Sequence, residues 1–168
     1  MATGTIGEFE RSLTDVGVEL TRATPATFSE TLTSVVDEPA VGTPLGFDGV
    51  SLKDTPVTTE LTPKDLTEAQ TGVTPIGRAI AQYGTLVVES NTAGNEPVSL
   101  YPPTHVGVVR ESDVLADVTE AMPHLAERFS DGGSVVFATG ASATGDMGAL
   151  VKGVHGPKTV RVVLVEGL

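Results

Sequence analysis

The sequence has 168 residues, no cysteine and a formal net charge of −12 at pH 7. This length suffices for one domain with its own core. The lack of cysteine excludes disulfides, thiolate zinc sites and iron–sulfur clusters held by this chain alone. Only 10 residues are basic, so a nucleic-acid-binding surface is not expected.

The acidic composition favours a protein that stays soluble in a high-salt cytoplasm. Carboxylates hold water while salt screens their mutual repulsion, and lysine is rare in this chain. An ordinary acidic cytosolic domain is the alternative. No apolar run approaches the roughly 20 residues that span a bilayer, and the N-terminus lacks a secretory pattern. We therefore expect a cytoplasmic protein without a membrane span.

The first third of the chain predicts two helices. Apolar residues recur every three or four positions over residues 5–18, and a second such stretch covers 25–36, with Thr24 as its cap. Residues 18–22 also fit a first strand. From 37 to 63, prolines and glycines divide the chain into short pieces, and no firm element is predicted there.

The remaining chain alternates strands and helices. Buried strands are predicted at residues 84–90, 106–109, 134–138 and 159–165. A short helix is predicted at 75–82, a loop at 91–98, and a longer helix at 112–129, capped by Ser112 and kinked at Pro123. Its predicted buried face consists of Val114, Leu115, Val118, Met122, Leu125 and Phe129. This alternation predicts an α/β fold with a mostly parallel sheet flanked by helices.

A loop rich in glycine, serine and threonine, residues 139–157, joins the last two predicted strands. Such a loop predicts a ligand site at the carboxyl end of a parallel sheet. Its Gly-x-x-x-x-Gly outline at 140–145 resembles a phosphate loop, but Asp146 stands where the nucleotide-binding motif has lysine. Two interpretations remain: a backbone cradle with Ser142 and Thr144 as hydrogen-bonding groups, or an ordinary short helix capped by Thr144.

Two histidines and one glutamate are the candidates for chemistry. His105 and His155 lie at strand edges that face loops, which suits a ligand contact or an acid–base role, or simply turn histidines bonded to backbone. Glu89 ends a strand and is a second catalytic candidate beside His155, and the alternative is a solvated glutamate. We expect His124 on the surface. His105, His155 and Asp146 have the types of metal ligands, but their spacing matches no metal motif, so no metal site is predicted.

Three motifs follow one another in the order of a known family. They are Ala81-x-x-Gly84-Thr85-Leu86-Val87-Val88, then Ser99-Leu100-x-Pro102-Pro103-x-His105-Val106-x-Val108-Val109, then Ser142-x-Thr144-x-Asp146-x-x-x-Leu150-Val151-x-Gly153-Val154-His155-Gly156-Pro157. Together they resemble the LUD domain, the lactate-utilisation family of LutC/YkgG type. The resemblance is strongest over residues 69–165 and implies a single domain over 1–168.

The resemblance implies a NagB/RpiA/CoA-transferase-like fold and a part in oxidising L-lactate to pyruvate. It implies that iron–sulfur clusters lie on partner subunits, with no cofactor bound by this chain, and that this chain binds a small anionic ligand or those subunits. The ligand-binding candidates are Gly84, Thr85, Ser99, His105, Ser142, Thr144, Asp146, Gly153 and His155. Whether the chain is an enzyme stays open.

Two alternatives stand beside the lactate hypothesis. The first is a stand-alone enzyme, CoA-transferase-like or phosphosugar-isomerase-like, that uses Glu89 or His155. A glutamate at a comparable strand end can act as a nucleophile in CoA-transferase-like folds. The second alternative is a non-catalytic adaptor whose loops bind a protein.

The chain departs from the family pattern at several positions. The family usually has proline where Ala141 stands, a basic residue where Ala143 stands, an acid where Gly148 stands, and arginine near Glu96 or Pro97. The loss of both basic positions predicts a changed mode of anion binding. The nearest basic residues in the sequence are Arg78, Arg110 and Lys152.

Overall fold

The computed structural model describes residues 2–144, 151–152 and 155–168, and these residues form both helices and strands. The helices are α1 (Ala2–Asp15), α2 (Phe28–Val35), α3 (Pro63–Glu68), α4 (Asn95–Leu100) and α5 (Val118–Ser130), with a 3-10 turn at Glu111–Asp113. The strands are β1 (Glu19–Ala23), β2 (Ala40–Gly42), β3 (Val57–Thr58), β4 (Thr71–Pro75), β5 (Arg78–Ile80), β6 (Thr85–Glu89), β7 (Thr104–Arg110), β8 (Val114–Leu115), β9 (Val135–Thr139), β10 (Ala143–Thr144), β11 (Val151–Lys152) and β12 (Thr159–Val165).

Six of the described strands form a wholly parallel sheet with the order β1-β12-β7-β4-β2-β3. The strand β12 lies between β1 and β7, and pairs Val162 with Gly107. Five of its seven residues are valine or leucine, which suits a strand buried on both faces. The structure is therefore α/β with a mostly parallel sheet flanked by helices, as predicted.

A second sheet has the order β8-β5-β6-β9, in which β6 is antiparallel to both of its neighbours. The short strands β10 and β11 pair with each other as an antiparallel ladder. Helix α1 and the inner face of this second sheet pack on one face of the parallel sheet. Helix α2 packs on the opposite face. Helix α5 covers the outer face of the second sheet, where Ala121 and Leu125 meet Ile80 and Val87.

The strongly apolar segments are where the sequence predicted them. The predicted strands 84–90, 106–109 and 159–165 are β6, β7 and β12. The first helix ends at Asp15, and the alternative interpretation of residues 18–22 as a strand is confirmed by β1. The second predicted helix is present as α2, although it starts at Phe28 rather than at 25.

Three local predictions were wrong. Residues 75–82 are not a helix, because Arg78–Ile80 pairs with β6; short apolar runs do not separate helix from strand. The predicted loop 91–98 contains the start of α4. The predicted helix 112–129 begins only at Val118, with Asp117 as its N-cap.

The late start of α5 changes which of its residues are buried. The residues Met122 and Phe129, predicted for its buried face, are 53% and 50% exposed. Leu125 is buried as predicted, and Val114 is buried in β8 rather than in the helix. Within the described residues, no helix combines the length and the apolar character that crossing a membrane requires.

Candidate ligand-binding site

A cavity of about 200 Å³ lies where β9 of the second sheet meets the amino ends of β7 and β12. Its lining residues come from four segments: Ser99 and Leu100, His105, residues 136–142, and residues 155–157. The described parts of the glycine-rich loop therefore lie at the amino end of the parallel sheet. The prediction that this loop forms a site at the carboxyl end of the sheet was wrong. The reason is that β9, which precedes the loop, belongs to the second sheet, and the loop returns to the start of β12.

His105 lines this cavity and is only 1% exposed. It is the second residue of β7, paired with Gly72 of β4 on one side and with Val160 of β12 on the other. Burial lowers the pKa of His105 to about 4, because a charged imidazole would lose its hydration. His105 is therefore neutral at physiological pH.

A hydrogen bond with Thr74 orients this imidazole. The Thr74 Oγ1 atom lies 2.8 Å from His105 Nε2. Thr74 is fully buried, and His105 is its side-chain partner, so the hydroxyl proton is satisfied when Thr74 donates to Nε2. The ring proton of His105 then resides on Nδ1. This atom has no hydrogen-bond partner among the described residues, and it offers an N–H donor to the cavity.

Hydroxyl groups and backbone complete the polar part of the lining. Ser99 donates from Oγ to the Glu96 carbonyl at 2.7 Å, so its oxygen can still accept. The loop closes on itself where Ser142 N–H donates to the Pro157 carbonyl at 2.8 Å. His155 lines the cavity as an exposed residue. None of the described lining residues is lysine, arginine, aspartate or glutamate.

Other sequence-predicted residues have different positions. Gly84 has a positive φ of 65° and lies against the backbone of α1, where it permits a tight turn. Thr85 hydrogen-bonds through Oγ1 with Oγ1 of Thr139 at 2.7 Å, and Thr139 lines the cavity. Of Thr144 the structure describes the backbone in β10. Asp146 and Gly153 lie outside the described residues.

The two catalytic candidates are not in one site. Glu89 is the last residue of β6, whereas the first residue of β6, Thr85, contacts the wall of the cavity that His155 lines. Glu89 lines a different cavity at the other end of the strand. The structure therefore brings together Ser99, His105, Ser142 and His155, and separates them from Glu89.

Sequence reasoning missed Thr74, which orients the imidazole of His105. The two residues are 31 positions apart, and they meet because β4 lies next to β7. No local pattern in the sequence indicates that pairing. A buried threonine in a strand adjacent to a buried histidine is recognised only once the strand order is known.

The burial of His105 makes the stability of the protein depend on pH. The unfolded chain binds a proton near pH 6.5, whereas folded His105 binds one only near pH 4. The contribution of His105 to stability is therefore complete above pH 6.5 and decreases as the pH falls towards 4, by about 2 kcal/mol between pH 7 and pH 5. Urea unfolding of the wild type and of His105→Asn at both pH values measures this difference, since the other titrating groups cancel. An equal pH dependence of the two proteins would contradict it.

Comparison with known proteins identifies the family. A model of the LUD domain matches residues 53–165. The chain belongs to the LUD domain family. This assignment confirms the resemblance predicted from the three motifs.

The LUD-domain protein is similar to several curated proteins named lactate utilization protein C. It is 32% identical over 129 residues to the one from Deinococcus radiodurans, an alignment that covers 76% of this chain and 58% of that protein. It is 31% identical over 108 residues to the one from Bacillus subtilis, covering 61% of this chain and 45% of that protein. The chain thus spans about half the length of the curated relatives that it matches.

A solved structure has the same fold. It is the crystal structure of a DUF162 family protein from Deinococcus radiodurans, which superposes on this LUD-domain protein with a TM-score of 0.76. The superposition covers 98% of each chain, with 22% sequence identity.

Proposed function

We propose that this LUD-domain protein takes part in lactate utilisation, and that the cavity around His105 binds a small anionic ligand with a carboxylate group. The names of its curated relatives, lactate utilization protein C, support the first part. The observation that supports the second part is His105, a buried neutral imidazole in the lining of the cavity, whose Nδ1 atom has no hydrogen-bond partner among the described residues.

The chemistry of the lining suits a small carboxylate with a short apolar part. A carboxylate or carbonyl oxygen accepts from the Nδ1 N–H of His105, and the Ser142 hydroxyl is a further donor in the lining. The side chains of Leu100, Val136 and Ala138 supply an apolar wall for a methyl group. Neutral donors hold an anion in this way when a basic residue is absent, much as oxyanion holes do. Lactate and pyruvate both have these groups.

We propose that the iron–sulfur clusters of such a system lie on partner subunits. This chain has no thiolate ligand for an iron–sulfur cluster. We therefore assign the clusters to partner subunits, and the role of this protein is to bind the small ligand or those subunits. Glu89, the candidate nucleophile of the stand-alone enzyme hypothesis, lies in a separate cavity.

L-lactate-dependent electron transfer in cell extracts tests the role in lactate utilisation. Activity at high salt is expected to fall when the protein is removed and to return when purified wild type is added back. The variant Ser142→Ala, which removes a hydroxyl from the cavity, should restore at least fivefold less activity. Ser130→Ala makes the same change at an exposed position at the end of α5 and should restore activity fully. Unchanged activity after removal would refute the role.

A binding experiment tests the proposed ligand independently of the role in lactate utilisation. In two-dimensional NMR spectra, pyruvate is expected to shift the signals of Ser99, His105 and Ser142, and Ser142→Ala should weaken this binding at least fivefold. Equal shifts with the uncharged methyl ester of pyruvate would contradict a carboxylate site. If no signal near His105 moves with pyruvate or L-lactate, the cavity does not bind these acids.

A further inference from the structure

A second cavity, of about 300 Å³, lies at the carboxyl ends of the parallel strands. His105 lies at the opposite, amino ends of the strands. It is bounded by the loop after β2 (residues 44–47), by residues 75–77 at the end of β4, and by Glu89, Asn91 and Asn95. Three separate segments of the chain thus converge at the carboxyl ends of β2 and β4. In open parallel sheets, ligands usually bind at the carboxyl ends of the strands.

The carboxylate of Glu89 has a fixed orientation in this cavity. Its Oε1 atom lies 2.6 Å from His124 Nε2. A Cβ atom on Gly77 would lie 2.1 Å from Oε1, so only glycine leaves room for the carboxylate at this place. On the other side, Arg128 Nε is 3.6 Å from Oε2, which is an ion-pair distance but too long for a hydrogen bond. The Oε2 atom therefore retains acceptor capacity.

Asn95 supplies a free donor in the same cavity. It is only 4% exposed, and its Oδ1 atom accepts a hydrogen bond from Thr43 at 2.6 Å. Its Nδ2 group has no partner among the described residues. Asn95 is one of the residues that line the cavity. A buried amide with an unused N–H donor is costly unless a ligand or water pairs with it.

The nearby arginines are engaged outside the cavity. Arg110 stacks over the ring of Phe47 at 4.9 Å and donates to Asp113 at 2.6 Å. Arg78 donates to Asp113 at 2.8 Å and to the Gly77 carbonyl at 2.6 Å. Both arginines contact residues that line the cavity, but neither arginine lines it.

The charge balance favours an uncharged ligand. Glu89 is the one charged side chain among the described lining residues, and Arg128 pairs with it from helix α5. The Glu89 carboxylate in the lining repels an anion, and its contacts with Arg128 and His124 reduce its attraction for a cation. A charged ligand would therefore lose its hydration without a compensating attraction. A neutral group that donates to the Glu89 carboxylate and accepts from Asn95 Nδ2 would pair with both the unused acceptor and the unused donor.

We infer that this cavity is a second binding site, for a small uncharged molecule that joins an amide-type donor–acceptor group to an apolar part. The N–H of the ligand donates to Glu89, its carbonyl accepts from Asn95, and its apolar part lies against Leu45, Phe47 and Ile76. The site is independent of the proposed lactate function, because it lies at the carboxyl ends of the parallel strands, whereas His105 lies at their amino ends.

Three ring compounds of similar size test the site and its preference: benzamide, benzylamine and benzoate. We expect benzamide to shift the NMR signals of Gly77, Asn91 and Asn95 in the full chain, and the two charged compounds to bind at least fivefold more weakly. No shift of these signals with benzamide would overturn the site. Tighter binding of benzylamine or benzoate would overturn its preference for an uncharged ligand.

Two variants assign the contacts. Asn95→Asp replaces the N–H donor by an acceptor and should weaken benzamide binding at least fivefold, and Glu89→Gln should weaken it about threefold or more. Glu60→Gln changes an exposed glutamate in the same way as a control and should have no effect. Benzamide shifts that are the same in Glu89→Gln and Asn95→Asp as in the wild type would refute the proposed contacts. Pyruvate shifts at His105 report on the other cavity in the same samples.

Discussion

Replacing Gly72 by alanine is expected to lower the free energy of unfolding by about 3 kcal/mol or more. A Cβ atom at this position would lie 2.0 Å from the carbonyl oxygen of Val98 and 3.1 Å from Pro102 Cγ. The first of these is a backbone atom of helix α4, which cannot rotate away. The helix would therefore have to move from the sheet. Urea unfolding of the variant and the wild type at neutral pH measures the loss.

The same substitution should also weaken ligand binding. Gly72 pairs with His105, and α4 provides Ser99 and Leu100 to the cavity. Displacement of α4 therefore changes the site as well as the core. Gly7→Ala is the control, because Gly7 lies in α1, where an added Cβ atom would have no neighbouring atom within 4 Å, and it should gain up to about 1 kcal/mol. Equal stability of the two variants would show that α4 does not pack on Gly72.

Asp113→Ala is the second change with a large expected effect. Asp113 is 5% exposed and accepts from Arg78 at 2.8 Å and from Arg110 at 2.6 Å. Its removal leaves two cations without their shared partner. Because both arginines are about one-third exposed, they regain some water, and the expected loss is about 2–3 kcal/mol rather than the larger cost of a fully buried pair. Urea unfolding at neutral pH measures this loss.

The loss of Asp113 should also loosen the second cavity. Arg78 binds the Gly77 carbonyl, and Arg110 stacks on Phe47, so both walls depend on the shared carboxylate. Benzamide binding should weaken together with stability, whereas Asp48→Asn, a change of an exposed aspartate, should alter neither. A variant that is as stable as the wild type would show that the two arginines find other partners.

The sequence predicted those elements whose own residues determine them. The strand β12 is valine-rich along its whole length, and its predicted limits, residues 159–165, are those observed. The strand β5 has three residues and forms because β6 and β8 flank it. A local pattern cannot contain that information, so the segment was predicted as helix.

The residues of the candidate site, too, could be predicted from the sequence only in part. The family motifs contain Ser99, His105, Ser142 and His155, and the structure places all four around one cavity. Their part in binding stays a prediction. Thr74 lies outside the motifs, and only the pairing of β4 with β7 brings its hydroxyl to His105.

The strand order has a consequence for how the chain assembles while it is being synthesised. In the parallel sheet, β12 lies between β1 and β7, although all the other strands of this sheet are made after β1 and before β12. Until the ribosome has released Val165, β1 lacks its hydrogen-bonded neighbour and β7 has one open edge. Pairings this distant in sequence are slow to form and leave apolar edges exposed in the nascent chain. The net charge of −12 opposes contact between such chains during that interval, because incomplete copies repel one another.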